Sequence, residues 1–235
     1  MKRPSDIFDR VQVYFRQQGE LYGSELYLDA DVGLKADSIQ PESLAHYFEE
    51  IKNCQKCGLS ASRTKFVFGV GNQHAKIMCI GEAPGFDEDR QGEPFVGAAG
   101  QLLNKILAAI GFKREEVYIA NIIKCRPPQN RDPEPEEIAE CAPHLMKQIE
   151  LIRPKLILVL GRIAAQALLG VQDSISNLRT RSHSYLDIPV VVTYHPAALL
   201  RSEQWKRPTW EDMKRLRQMY DELVGDKPPL ATTNK

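Results

Sequence analysis

The sequence predicts an α/β fold: a three-layer α/β/α sandwich with helices on both faces of a parallel sheet. Three observations predict it. Short, continuously apolar segments alternate with segments of helical periodicity, the pattern of strands buried on both faces. The helical segments stop at glycines or prolines, so each pair of strands is joined by a compact crossover. The glycine-rich and polar segments follow the strands, at the end where open α/β sheets bind ligands.

The elements follow in chain order. Residues 5–18 carry Ile7, Phe8, Val11, Tyr14 and Phe15 at helical spacing, which predicts an amphipathic helix. Residues 19–41 are acidic and irregular and read as a linker. Ser43 to Ile51 reads as a second helix with Ser43 as its cap. Four strands are predicted: KIMCI over 76–80, VYIANII over 117–123, KLILVL over 155–160 and IPVVVT over 188–193. Helices are predicted over 97–111, 134–152, 162–169 and 209–224, with a short helical stretch after His195-Pro196. The organisation is an acidic extension (1–41), one α/β domain (42–224) and a disordered tail (225–235).

The chain has 235 residues, 43% of them hydrophobic and 26% charged, ordinary values for a globular protein. No apolar run is long enough to span a membrane, and the N-terminus lacks the apolar core of a signal peptide. No membrane association and a cytoplasmic location are expected. The formal net charge of zero hides an asymmetry. Residues 1–50 hold 5 basic and 10 acidic residues, leaving a mildly basic body that is compatible with a phosphate backbone.

Cys54 and Cys57 have the two-residue gap that lets two thiolates grip one metal centre. Cys125 and Cys141 complete a four-cysteine set. Thiolates suit zinc and iron–sulfur centres alike, and spacing does not separate them. The fifth cysteine, Cys79, lies among Ile77, Met78 and Ile80 and reads as a core residue.

The segment GEAPGFDEDRQGEPFVGAAG (81–100) combines turn residues with Glu82, Glu88 and Asp89. A solvated acidic turn would look similar, but acids in such a loop suit an active site that faces a developing cation. Phe95 in this loop is either a core plug or a stacking platform. Asn121, in a buried strand, needs partners for its amide, supplied by another loop or by a base edge. His195, before Pro196 at a strand end, is either a structural imidazole or a functional one.

Together, Cys54-Gln-Lys-Cys57, GEAPGFDED (81–89), PFVG (94–97), NIIKCRPPQNR (121–131) and HPAALL (195–200) resemble the family 4 uracil-DNA glycosylases, the iron–sulfur branch of their superfamily. The match runs from about residue 50 to 224. It implies a central four-stranded parallel sheet and a structural [4Fe–4S] cluster on Cys54, Cys57, Cys125 and Cys141, in place of zinc. It implies a DNA-repair enzyme that flips uracil out of DNA and hydrolyses its N-glycosidic bond. Gly81, Ala83 and Gly85 would line the base pocket, Phe95 would stack on the uracil, and Asn121 would read its N3–H and O4 edge. Glu88 would crowd out the thymine methyl, and His195 would steady the leaving anion through O2. Ala83-Pro84 stand where better-known relatives place a water-activating Asp, which leaves Glu82 as the candidate to orient water or favour the sugar cation. Leu199 is the expected wedge, and Arg126, Arg131 and Arg201 the expected phosphate contacts. KCRPPQNRDPEPEE after the second strand lacks the basic, His-containing insertion of a DNA-cross-linking relative. Uracil-containing DNA is the expected partner, with a protein partner at residues 1–41 and a monomeric state. The competing expectation is an iron–sulfur DNA-binding or polymerase-associated module without catalysis.

Overall fold

A computed structural model describes residues 43–230. The helix expected over 5–18, the linker 19–41 and the final residues 231–235 lie outside the described residues. Six strands form one sheet: β1 (Val70–Gly71), β2 (Ile77–Gly81), β3 (Tyr118–Asn121), β4 (Leu156–Leu160), β5 (His183–Tyr185) and β6 (Ile188–Thr193). Their spatial order is β1-β3-β2-β4-β6-β5. The inner four are parallel, with Cys79 level with Ile119 on one side and Leu158 on the other. These are the four strands read from the sequence. The two edge strands are antiparallel additions, too short to leave a periodic signature.

The helices are α1 (Leu44–Ile51), α2 (Phe86–Gln91), α3 (Ala98–Ala109), α4 (Pro135–Ile152), α5 (Arg162–Leu169), α6 (Ile175–Thr180), α7 (Pro196–Arg201) and α8 (Lys206–Leu223). Ser43 caps α1 as expected, its Oγ accepting from the His46 amide at 3.2 Å. Among the described residues, α2 and α6 had not been anticipated. Each is six residues long, shorter than the window over which helical periodicity is legible.

Strand alternation splits the core in two. Met78, Ile80, Ile157, Val159 and Val192 face α1, α4 and α5 through Leu44, Leu145, Ile149 and Ala165. Ile77, Cys79, Ile119, Leu158 and Val191 face α3 and α8 through Leu103, Leu107, Met213 and Leu216. This is the predicted three-layer sandwich. Cys79 is fully buried in the second layer, as its neighbours in the strand implied, and burial pushes its thiol up to about 12.

Residues 226–228, within the segment expected as a tail, are tied to the body. The Tyr220 hydroxyl donates to Asp226 at 2.7 Å, Arg217 donates to the Pro228 carbonyl, and Lys227 pairs with Glu116. Leu223 marks the end of the last helix, so helical periodicity stops there while packing does not.

Candidate active site

The order of the inner strands changes direction at β2, which has β3 on one side and β4 on the other. In such sheets the crevice at the carboxyl ends beside that point receives ligands. The loop after β2, the end of β3 and the loop after β6 meet there around a cavity of about 380 Å³. Its walls include Glu82, Ala83, Gly85, Glu88, Phe95, Asn121 and His195. Gly81 does not line the cavity but packs against two residues that do, since a Cβ there would lie 2.5 Å from Asn121 Oδ1 and 2.6 Å from the Phe95 ring.

Phe95 is held in an uncommon backbone conformation, with φ at +55°. Non-glycine residues adopt that region when their surroundings insist on it, and three features do so here. A Cβ at Gly100 would lie 1.8 Å from the Phe95 carbonyl oxygen, so that glycine lets the first turn of α3 close on the loop. Arg114 donates to the Phe95 carbonyl at 3.1 Å and to the Pro94 carbonyl at 2.6 Å. Glu88 Oε1 accepts from the Val96 and Gly97 amides at 3.0 and 3.1 Å. The Phe95 ring lies 5.4 Å from that of His195, inclined by 32°.

Asn121 is buried, and its Oδ1 has no hydrogen-bond partner among the described residues. An unpaired buried acceptor costs about 1–3 kcal/mol, so its presence in a cavity wall points to a ligand donor. The backbone of Asn121 is fixed from behind. The wholly buried Lys124 ammonium donates to its carbonyl at 2.9 Å and also to Gln148 Oε1. Burial lowers Lys124 to about 8.

His195 caps α7, and its Nδ1 accepts from the Ala197 amide at 3.2 Å. An accepting Nδ1 leaves the proton of a neutral ring on Nε2. Burial lowers His195 to about 4, with Arg201 adding to the effect and Glu88 opposing it. The ring is therefore neutral at physiological pH and offers one N–H. Its approach to the sheet depends on Gly161, at φ +102°, where a Cβ would stand 3.1 Å from His195 Cβ. The strand end before it is clamped: Asp212 accepts from Arg179 at 2.8 Å and from the Thr193 hydroxyl at 2.8 Å.

The acidic residues divide into two kinds. Glu88 has both oxygens committed to backbone amides, Oε2 accepting from Gly85 at 3.1 Å. Glu82 is raised to about 7, first by burial and then by the nearby Asp132, with Arg162 opposing. Asp132 lines the cavity and was missed in the sequence. It lies in an acidic, Pro-containing stretch that reads as an ordinary helix-entry turn.

Two of the expected DNA contacts sit in surroundings of their own. Leu199 is 3% exposed and packed in the interior, whereas Leu200 is 54% exposed. A wedge must project into the duplex, and Leu200 is the exposed member of the pair. Arg131 lines the cavity, but its guanidinium grips Glu137 at 2.6 and 2.9 Å and Glu134 at 3.3 Å. It anchors the start of α4 and is not available as a free phosphate contact. Arg201 is exposed at the cavity rim. Arg126 is half-buried and donates from Nε to Asn130 Oδ1 at 2.7 Å.

The four cysteines of the expected metal set are free thiols near one another. Burial raises the thiol of Cys125, Arg63 opposes, and Cys57 and Cys54 raise it further. Cys141 is raised to about 11, first by burial, with Lys124 opposing and Cys125 and Cys57 adding. Polar groups approach three of the sulfurs: Arg63 donates to Cys125 at 3.2 Å, the Lys124 amide donates to Cys141 at 3.3 Å, and His144 Nε2 lies 3.3 Å from Cys54. No group of three or more ligands is drawn in around a single-ion position among the described residues.

Beyond the strand ends of this sandwich, Phe95, Asn121 and His195 converge on one cavity. The chain belongs to the uracil DNA glycosylase superfamily, whose sequence model matches residues 68–214. Within it, the chain is 46% identical over 196 residues to the Type-4 uracil-DNA glycosylase of Archaeoglobus fulgidus, covering 80% of this chain and 96% of that protein. It is 44% identical to the Type-4 enzyme of Saccharolobus solfataricus (77% and 86% covered). It is 43% identical to that of Thermotoga maritima (71% and 89% covered). The resemblance drawn from the motifs is thereby borne out. No helix among the described residues is long and apolar enough to cross a membrane.

Proposed function

We propose that the chain removes uracil from DNA by hydrolysing its N-glycosidic bond, with the everted base held in the cavity between Phe95, Asn121 and His195. The carrying observation is the buried, unpartnered Asn121 Oδ1. Uracil presents N3–H as a donor beside the O4 acceptor, which an amide meets with Oδ1 and Nδ2. Cytosine presents the reverse pair and would leave two groups unsatisfied, at a cost of about 1–3 kcal/mol or more.

In this reading Phe95 stacks on the ring, and the cost of extruding the base is recovered by that contact and the edge pairing. As the bond breaks, negative charge grows on the uracil and positive charge on the sugar. The Nε2–H of neutral His195 donates to O2 at the atom where charge develops, which is electrostatic stabilisation. Glu82, when ionised, faces the sugar cation or orients the attacking water. Ala83 and Gly85 shape the wall. Glu88, bound to the amides of Gly85, Val96 and Gly97, fixes the bulk that excludes a C5 methyl. Leu200 takes the wedge role, and Arg201 and Arg126 meet phosphates.

Cys54, Cys57, Cys125 and Cys141 are the proposed ligands of a [4Fe–4S] cluster. When bound, it supplies a covalent cross-link between segments far apart in sequence and takes no part in bond cleavage. Arg63 and Lys124 sit where they would balance its negative charge. A cytoplasmic monomer, with residues 42–224 as the catalytic domain and 1–41 available to a protein partner, completes the proposal.

The test is base release from oligonucleotides carrying U:G, U:A, single-stranded U, T:G and hypoxanthine, read by alkaline cleavage. Release from the uracil substrates with T:G untouched is expected. Binding without release would favour a non-catalytic module and overturn the reading.

A further inference from the structure

Phe86 is half exposed, with 50% of its surface open to solvent, although it begins a helix that is firmly held. The helix is pinned by buried Asp89, whose Oδ1 accepts from the Thr64 amide at 2.8 Å. The ring is therefore displayed on a fixed support. Two guanidinium groups lie over it, those of Arg90 at 5.5 Å and Arg126 at 5.1 Å from its centroid. Holding an apolar ring in water forfeits burial energy, so a persistent Arg–Phe–Arg group on the surface needs either an occupant or an accident of packing to explain it.

Its position favours an occupant. Gly85, the residue before Phe86, lines the base cavity. So does Asn130, which Arg126 holds through its 2.7 Å bond. The group is thus continuous with the rim of the proposed uracil site. Its two positive charges complement a phosphodiester strand. A ring with flanking guanidiniums is the surface on which nucleic acid bases stack irrespective of sequence, with the arginines pairing to phosphates.

We propose that Phe86, with Arg90 and Arg126, forms a second stacking platform that receives the base next to the extruded uridine on the same strand. It rests on the uracil-cavity reading but requires more than that reading does. The platform takes a single-stranded face of the substrate, while Leu200, on the helix after β6, approaches the gap left in the duplex. Extruding one nucleotide unstacks its neighbour, and the platform supplies the partner that neighbour has lost.

The test uses full-length, cluster-loaded protein and single-stranded and duplex uracil oligonucleotides with 2-aminopurine beside the uracil or opposite it. Stacking on Phe86 is expected to change 2-aminopurine fluorescence when the probe is adjacent. Phe86→Ala should abolish that change and raise KM about tenfold, more than it lowers kcat. Phe86→Trp should restore both. Replacing Arg90 and Arg126 together by Gln should flatten the salt dependence of binding by about two phosphate contacts. A Phe86→Ala variant with wild-type KM and an undiminished signal overturns the platform. So does a Phe86-dependent signal confined to the probe opposite uracil. If the wild-type protein releases no uracil, the cavity reading fails first, a result separable from both.

Discussion

The Arg114 guanidinium donates to the Phe95 carbonyl at 3.1 Å, across 19 residues of sequence. It restrains a residue whose backbone sits in a conformation that only its surroundings maintain. Arg114→Met keeps an unbranched, though shorter, side chain and removes both carbonyl bonds and the bond to Asn104 Oδ1. Losing such hydrogen bonds to a charged group costs about 1.5–3 kcal/mol. The expected outcome is a fall in kcat/KM of about tenfold or more, with a smaller effect on the melting temperature. Steady-state kinetics on U:G duplex beside a thermal melt checks it.

His195→Ala should reduce single-turnover cleavage by about 10²–10³, the range for loss of one donor to a developing anion. DNA binding, measured by anisotropy, should change little. A similar turnover for wild type and variant would remove the imidazole from the mechanism.

Glu82 and His195 predict opposite pH behaviour. Glu82 is raised from 4.5 to about 7, so kcat/KM should climb as pH passes 7 and Glu82→Gln should erase that step. The folded chain keeps a proton there that the unfolded chain has released, so this group's contribution to stability declines from pH 4.5 to 7. His195 is lowered from 6.5 to about 4. It binds fewer protons folded than unfolded, so its contribution is lost as pH falls from 6.5 toward 4. Chemical denaturation of the two single variants across this range separates the slopes.

Leu199→Ala and Leu200→Ala should differ although they are neighbours. The first removes a buried side chain and should destabilise by about 2–5 kcal/mol. The second should leave the melt unchanged and slow uracil release from duplex more than from single strands. Denaturant titration and matched duplex and single-strand assays distinguish them.

Asn121→Asp should erode discrimination against cytosine, because a carboxyl group can carry a proton where the amide cannot adapt. The ratio of cytosine to uracil release reads this out; an unchanged ratio would detach Asn121 from edge recognition. Cys125→Ser should yield colourless protein of lower stability, and a brown, normally folded variant would mean that the ligand set is wrong.

The sequence was most informative where packing is periodic. The four inner strands and the long helices α3, α4 and α8 were legible because their buried faces repeat. The short edge strands and α2 were not, since neighbours in space fix them. At the site, Phe95, Asn121 and His195 stood out as polar or aromatic residues where strands give way to loops. Arg114 and Lys124 did not. Each acts on a backbone carbonyl, and only the folded chain shows which carbonyl lies within reach. Leu199 and Leu200 show the same limit in miniature, because a one-residue shift on a six-residue helix reverses inside and outside and composition is blind to it.

The unsatisfied oxygen of Asn121 has a consequence for when accuracy is decided. Its burial comes with the folding of the chain, so under the proposed function its preference is set before any DNA arrives. In that reading, a base without the matching donor would leave the oxygen unpaired and would return to the helix. Fidelity is thus laid down at folding, at the expense of a little stability, and is not improvised at the encounter.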